Sequence, residues 1–151
     1  MIVIQEETWD NCKHEIEELG KLHFIEVRGS WTNLKYIPNT KLYELVDESK
    51  LLAVVTLRDV NKLVGYSVIL LMQDHVCTNN LVSNSALLFV HKDYRGHSSL
   101  KLIKATEELA KSHKACYHVW GIKPENDFSK YLIRNGYKLR DIQYIKYLGG
   151  T

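Results

Sequence analysis

Residues 95 to 99 of the chain, Arg-Gly-His-Ser-Ser, lie between an apolar strand-like run and an amphipathic stretch typical of a helix. A helix that begins directly after a buried strand presents unpaired backbone N–H groups and the positive end of its dipole, and together these bind phosphate. Arg95 adds a guanidinium, Gly96 permits a close backbone approach, and the serines add hydroxyl groups. The junction therefore suits a pyrophosphate.

The same junction also has a purely structural interpretation. Ser98 or Ser99 would cap the helix and Gly96 would form a turn, with the arginine side chain in solvent. An Arg-Gly pair before a helix is a weak motif, so the spacing alone leaves both interpretations open. The sequence contains neither G-x-x-x-x-G-K-[ST] nor an early G-x-G-x-x-G, so ATP hydrolysis and Rossmann-type nicotinamide binding are not favoured.

The elements that would position this junction follow from the periodicity of the apolar residues. The predicted order is a strand at 1–7, a helix at 8–22 that Gly20 ends, hairpin strands at 51–58 and 63–72, a strand at 86–90, a helix at 98–113, a strand at 116–121, a helix at 127–134 and final strand material at 137–148. Strand 86–90 is apolar throughout, which is typical of a central strand. This order predicts one α/β domain, residues 1–151, with a mixed sheet.

Length and composition limit the classes of function. The chain has 151 residues, enough for one core, and its 20 basic and 18 acidic side chains are interspersed, so a nucleic-acid partner is not expected. Its apolar runs are far shorter than the roughly 20 residues that span a bilayer, so we expect no membrane partner and a cytoplasmic location. The three cysteines lack C-x-x-C spacing; we expect buried thiols and no metal site.

Two segments resemble the GNAT superfamily of N-acetyltransferases. "FVHKDYRGHSSLKLIKATEELAK", residues 89–111, resembles its acetyl-CoA-binding motif, in which a strand ending in V-x-P-x-Y-R-G leads into a pyrophosphate-cradling loop and helix. "PENDFSKYLIRNGYK" is similar to a later segment in which an Asn opens a helix that ends in Gly-Phe or Gly-Tyr; here these are Asn126, Gly136 and Tyr137. Nearly the whole chain resembles the small GNAT proteins encoded by tailed bacteriophages.

The resemblance implies a GNAT-like mixed, mostly antiparallel sheet flanked by helices, with the fourth and fifth strands splayed apart. It implies that the pantetheine arm of acetyl-CoA pairs with the fourth strand and that the following loop holds the pyrophosphate. The residues carried over as cofactor-binding are Phe89, Val90, Arg95, Gly96, His97, Ser98, Ser99, Leu100 and Asn126. The family loop reads R-G-x-G-x-G or R-G-x-G-x-A, so Ser98 and Leu100 replace small residues, and the leucine is expected to weaken CoA binding.

The activity that the resemblance implies is acetyl-CoA-dependent transfer of an acetyl group to an unidentified primary amine, in a small molecule or a protein, by direct attack in a ternary complex. The reaction needs a base for the amine proton and an acid for the thiolate. The family acid is a Tyr four residues before the late glycine, where this chain has Leu132. Tyr131, one residue earlier and turned by roughly 100° on the helix, is the candidate acid.

The fourth strand carries no carboxylate, so the base must come from elsewhere. The candidates are Glu26, Asp74, His75 and His118. Glu26 and His75 are preferred because their segments would border an acceptor cleft, although either has the alternative of being a solvated surface residue. A histidine titrates in the appropriate pH range.

The same departures from the family pattern also fit a second function. A GNAT-fold phage protein with weak or lost catalysis would act as a virion component or as a host-factor-binding module, in the cytoplasm of the bacterial host. Trp31, Tyr36 and Tyr43 lie where an acceptor would be recognised, although aromatic residues in such a domain more often pack the core. A homodimer and a phage or host protein partner both remain open.

Overall fold

The computed structural model describes residues 1–28 and 32–149. The strands and helices of this part of the chain are β1 (Ile2–Glu7), α1 (Trp9–Arg28), α2 (Thr40–Glu48), β2 (Leu52–Asp59), β3 (Lys62–Gln73), β4 (Leu81–Val90), α3 (His97–Ser112), β5 (Tyr117–Val119) and α4 (Ser129–Arg134). Short 3-10 turns, Lys92–Tyr94 and Pro124–Asn126, lie shortly before α3 and α4.

The strands form one sheet in the order β1-β2-β3-β4-β5. Neighbours from β1 to β4 are antiparallel, whereas β5 runs parallel to β4. The predicted hairpin is confirmed as β2 and β3, in which Val54 lies opposite Val68. The predicted mixed, mostly antiparallel sheet is therefore confirmed.

Strands β4 and β5 separate after a short contact. Val82–Asn84 pair with Tyr117–Val119, but β4 continues to Val90. The register between β3 and β4 shifts at this point and leaves Ala86 without an opposite residue, which is a β-bulge. Beyond the bulge, the edge of β4 that faces β5 has no paired strand within the described residues. The splay that the resemblance implies is present.

Apolar layers cover both faces of the sheet. On one face α3 contributes Leu102 and Leu109, which pack with residues of β2 and β3. On the other face α1 contributes Trp9 and Ile16, which pack around Tyr66. Burial of these side chains is the main source of stability, at about 25 cal/mol per Å² of apolar surface. None of the helices in residues 1–28 and 32–149 is long and apolar enough to cross a membrane.

Helix α1 is longer than the sequence predicts. The prediction that Gly20 ends this helix is wrong, because the helix continues to Arg28. A Cβ at Gly20 would clash with Oη of Tyr36, and that hydroxyl donates a hydrogen bond of 2.9 Å to the main-chain oxygen of Glu17. Glycine costs about 1 kcal/mol in a helix interior relative to alanine. Here its role is to let Tyr36 approach the helix backbone.

Other differences from the sequence-based expectations lie at strand ends. Strand β4 begins at Leu81 rather than at residue 86. The strand predicted at 137–148 is wrong, since these residues are assigned no strand and Leu139 and Tyr144 are 81% and 94% exposed. An alternating apolar pattern forms a strand only where a neighbour pairs with it. The helix stop at Asn135-Gly136 is confirmed, with Gly136 at φ 87°.

The cysteines also differ from expectation. Cys12 is buried, as expected, but Cys77 and Cys116 are exposed, so the prediction of buried thiols is wrong for these two. Cys116 lies at the start of the short β5 region, where its Sγ is 3.1 Å from the main-chain oxygen of Leu81. Because the sheet contact there is only a few residues long, little structure covers this thiol.

One charged cluster joins β1, β2 and α1. Arg58 donates from Nε to Glu7 at 2.7 Å and from Nη2 to Glu15 at 2.7 Å, and Thr56 also donates to Glu7. The Arg58 and Glu7 side chains are only 11% and 10% exposed. These hydrogen bonds, that from Arg58 foremost, lower the pKa of Glu7 from 4.5 to about 2.

The lowered pKa of Glu7 predicts a loss of stability in acid. A carboxylate whose folded pKa is below its unfolded value stabilises the fold above the unfolded pKa, and that contribution disappears as the pH falls from about 5 towards 2. We expect Glu7→Gln to lower the free energy of unfolding at pH 7 by on the order of 2 kcal/mol, with the deficit shrinking at pH 3. Urea denaturation at both pH values measures this. A deficit independent of pH would contradict the assignment.

Candidate active site

A cleft with a volume of about 640 Å³ lies on the α1 side of the sheet. It is lined by residues of α1, by the segment 34–40, by residues 85–89 of β4, and by Arg95 and Asn126. The free edge of β4 beyond the bulge therefore borders the cleft. This is the place in the described chain where an elongated ligand has both space and unpaired backbone.

The main-chain groups at this edge can be assigned from the neighbouring hydrogen bonds. The N–H of His91 donates to the oxygen of Val64 on β3 at 2.8 Å, so the N–H and C=O of Val90 face away from β3. By the same alternation those of Leu88 face the open edge, whereas the oxygen of Phe89 faces Gly65. An extended ligand would thus pair with Leu88 and with the N–H of Val90, whose oxygen already accepts a hydrogen bond from Arg95, and Phe89 would contribute its ring. Leu88 was missed by the sequence argument.

The loop after β4 has the backbone expected of an anion site. Gly96 precedes α3 with φ 99° and ψ −124°, a conformation that a residue with a side chain rarely adopts. The first-turn amides, His97 to Ser99, have no acceptor within the helix. The turn before the loop is held because Tyr94 Oη donates to Asp59 at 3.1 Å. Asp59 also pairs with the N-terminal ammonium at 2.9 Å.

Arg95 and Glu26, predicted as a pyrophosphate ligand and a base, form an ion pair with each other. Nη2 of Arg95 lies 2.5 Å from Oε2 of Glu26, and Nε donates to the main-chain oxygen of Val90 at 2.8 Å. The guanidinium carbon also lies 5.7 Å from the ring centroid of Phe89. Both charged side chains are partly exposed, at 37% and 42%. In this state each neutralises the other.

The cleft brings together some of the predicted site residues and not others. Phe89, Arg95 and Glu26 line it, and so does Asn126 in the turn before α4. The loop residues that follow Arg95 are not among the lining residues; of these, Ser98, Ser99 and Leu100 are half-buried and Gly96 and His97 exposed. Their contact with a ligand stays a prediction.

His75 and Tyr131 are placed away from the cleft. His75 is exposed in the connection between β3 and β4, and Tyr131 lies half-buried on α4; neither lines the cleft. Leu132, at the position of the family tyrosine, is buried. The catalytic roles of His75 and Tyr131 stay predictions, and neither residue lies beside Glu26 in this conformation.

The other two candidate bases are His118 on β5 and Asp74 directly after β3. Nδ1 of His118 lies 2.7 Å from Oγ of Ser83, and burial lowers the pKa of His118 to about 4. Asp74 accepts a hydrogen bond of 2.5 Å from Tyr117, and this bond together with two backbone N–H bonds lowers the pKa of Asp74 to about 2. Neither residue lines the cleft.

Several cleft residues were missed by the sequence argument. Nδ1 of His23 lies 2.9 Å from Oη of Tyr66, and the imidazole stacks on Phe89 with ring centroids 5.0 Å apart. Tyr66 is buried, and burial raises its pKa. Glu17 and Gly20 also line the cleft. Glu17, Gly20 and His23 recur at helical spacing and so share one face of α1. This spacing was the signal in the sequence that could have grouped them.

The role of the aromatic residues in recognising an acceptor stays a prediction. Tyr36 and Tyr43 line the cleft, whereas Trp31 lies outside the described residues. In residues 1–28 and 32–149 no group of three or more His, Cys, Asp or Glu residues is placed to hold a metal ion.

Solved acetyltransferase structures share this architecture. A predicted acetyltransferase with acetyl-CoA from Clostridium acetobutylicum superposes with a TM-score of 0.74 at 11% identity, covering 98% of this chain and 97% of its own. Glucosamine-6-phosphate N-acetyltransferase from Arabidopsis thaliana gives 0.70 at 16% identity, covering 99% of both chains. Ribosomal-protein-alanine N-acetyltransferase from Brucella melitensis biovar Abortus 2308 gives 0.69 at 17%, covering 99% of this chain and 100% of its own.

No family model matches the sequence, and none of the curated proteins is detectably similar to it. The structural likeness extends over whole chains at low identity, so it concerns the fold. The chain shares the fold of these solved acetyltransferases, which is the fold that the resemblance implied.

The packing of Tyr36 on Gly20 predicts non-additive stability changes. In Gly20→Ala the new Cβ clashes with Oη of Tyr36, so Tyr36 must move and loses its hydrogen bond to Glu17. Tyr36→Phe removes that hydroxyl, so alanine at position 20 should be better tolerated there. We expect a coupling energy of about 1 kcal/mol between the two changes in a double-mutant cycle followed by urea denaturation. Strictly additive effects would contradict this packing.

Proposed function

We propose that this chain is an acetyl-CoA-dependent N-acetyltransferase that acetylates a primary amine by direct transfer in a ternary complex. The observation that carries the proposal is the free edge of β4, which borders the cleft and leads into the Gly96 loop at the start of α3. Such an edge suits an extended amide-bearing arm, and the loop suits a pyrophosphate.

The residues present fit this cosubstrate. The main-chain groups of Leu88 and the N–H of Val90 would pair with the pantetheine arm, and the amides of His97 to Ser99 would bind the pyrophosphate, with Asn126 beside the arm. When bound, acetyl-CoA supplies an activated thioester. The amine nitrogen forms a bond to the acetyl carbon, the carbon–sulfur bond breaks, the nitrogen loses a proton, and the CoA thiolate takes one.

Glu26 is the proposed base. Of the four candidate bases that the sequence offers, it is the one that lines the cleft. Its carboxylate becomes available when Arg95 turns from it towards a pyrophosphate. His75 and Tyr131 would take part only after the connection 74–80 or helix α4 moves towards the cleft. With Leu132 in place of the family tyrosine, the thiolate would take its proton from Tyr131 or from water.

Three departures from the GNAT family pattern support a second function. Strand β4 has no carboxylate, Leu132 is buried at the acid position, and Leu100 occupies a position that is small in the family. These features suit a phage-encoded protein that keeps the fold for binding a virion or host protein in the host cytoplasm. Such a protein would bind CoA, if at all, without turnover.

Thermal stability with acetyl-CoA tests the cosubstrate site. Acetyl-CoA at 100 times its dissociation constant should stabilise the protein by about 2.7 kcal/mol, a rise in Tm of several degrees. Gly96→Glu places a carboxylate in the loop and a side chain at φ 99°, and should weaken binding at least about tenfold. Gly149→Glu is the matched control, because Gly149 also has positive φ and is far along the chain in the exposed C-terminal segment.

If acetyl-CoA does not stabilise the unaltered protein, acetyl-CoA is not its cosubstrate. If Gly96→Glu and Gly149→Glu weaken acetyl-CoA binding equally, the Gly96 loop is not the binding site. Release of the CoA thiol over a panel of amines and peptides then separates the two functions. Turnover on any acceptor supports the transferase. Tight CoA binding without turnover on any acceptor supports the binding module.

A further inference from the structure

Glu17 supplies the half-buried carboxylate on the α1 wall of the cleft. Its side chain is 22% exposed, and Oγ1 of Thr40 donates a hydrogen bond to Oε1. The ring of His14 approaches Oε2 only to 3.8 Å and carries a charge only when protonated. The close partner of this carboxylate is therefore a neutral hydroxyl, which leaves its negative charge in place.

Three aromatic side chains line the same cleft as this carboxylate. Oη of Tyr36 donates to the main-chain oxygen of Glu17 at 2.9 Å, which fixes that ring against α1. Phe24 packs against Tyr36 with ring centroids 5.6 Å apart. Tyr43 stacks on the buried Trp9 at 5.1 Å. The half-buried rings of Phe24, Tyr36 and Tyr43 all line the cleft, so each presents part of its surface to a ligand.

A carboxylate among aromatic faces is an environment for an organic cation. The carboxylate accepts charge-assisted hydrogen bonds from an ammonium group, and the rings attract the cation and cover its apolar body. Two lysines that also line the cleft, Lys35 and Lys123, compete with this charge, but both are exposed, so water screens them more strongly. Arg95, a further cation of the lining, is paired with Glu26. A phosphate or carboxylate at this place would meet the charge of Glu17.

We infer that the acceptor is a primary amine on an apolar body of about one aromatic ring, with its ammonium held by Glu17 and its body between Tyr36 and Tyr43. This inference rests on the proposed acetyl transfer, for which it names the acceptor class. Glu17 acts as a specificity residue. It binds the protonated amine on entry, and the neutral amine that attacks the thioester forms after this proton has passed to Glu26, the proposed base.

Binding of the amine, measured apart from turnover, tests the inference. We would titrate CoA-loaded protein with 2-phenylethylamine by calorimetry, and compare it with glucosamine 6-phosphate as an anionic amine. Glu17→Gln keeps the shape and the contact with Thr40 but removes the charge. We expect it to weaken 2-phenylethylamine binding at least tenfold and to raise KM more than it lowers kcat, with the affinity for acetyl-CoA unchanged.

Glu18→Gln is the matched control, since Glu18 is 74% exposed on the same helix and pairs with Lys21. It should leave amine binding unchanged. Glucosamine 6-phosphate binding more tightly than 2-phenylethylamine, with the affinity lost in Lys35→Ala, would overturn the inference, and so would an effect of Glu17→Gln no larger than that of Glu18→Gln.

The outcomes distinguish this inference from the proposed function. Glu17-dependent binding of 2-phenylethylamine without acetyl transfer would support the amine site and contradict the transferase. Acetyl transfer that is indifferent to Glu17 would support the transferase and contradict the amine site. Absence of any 2-phenylethylamine binding to the CoA-loaded protein would overturn the inference whatever the transfer assay gives.

Discussion

The free edge of β4 is the constraint on which the rest of the site depends, and a single extra residue sets its direction. The oxygen of Leu81 accepts a hydrogen bond from Cys116, so main-chain groups at that position face β5. Val90 is an odd number of positions further along, so in a regular strand its groups would face β3. The unpaired residue Ala86 reverses the alternation, and Val90 faces the open side. The bulge therefore turns β4 from a paired strand into a ligand edge.

Local signals in the sequence were sufficient for most of the fold. The hairpin of β2 and β3, the helix after Arg95 and the stop at Gly136 follow from period, turn residues and glycine, and all three are confirmed. The errors arose where a distant contact decides the structure. Glycine is typical of a helix end, and only the packing of Tyr36 explains why Gly20 lies inside a helix. The polar residues at the start of β4 are typical of a loop, and the contact between Ser83 and His118 on the neighbouring strand is what the local sequence does not show.

The site residues, like the fold, could be predicted from the sequence only in part. The resemblance assigned Phe89, Arg95 and Asn126 one by one, and the structure places all three at the cleft. Pattern reasoning had no means of pairing Arg95 with Glu26, because their sequence separation is large and neither belongs to a shared motif. The cleft face of α1 carried a detectable period, but a helix face shows only that residues are buried together, and the neighbouring strand and loop decide what they meet.

Arg95 connects the two halves of the cleft. Its guanidinium contacts the oxygen of Val90 at the ligand edge and the carboxylate of Glu26 on α1 at the same time. An ion pair this exposed contributes roughly 0–1 kcal/mol, so a doubly charged pyrophosphate beside the α3 N-terminus would compete for the guanidinium effectively. Under the proposed function, filling the Gly96 loop and freeing Glu26 are then one equilibrium. If the bulky Leu100 weakens pyrophosphate binding in the Gly96 loop, Arg95 stays paired with Glu26 and the base is not released. Leu100 would then reduce both the affinity for acetyl-CoA and the rate of turnover.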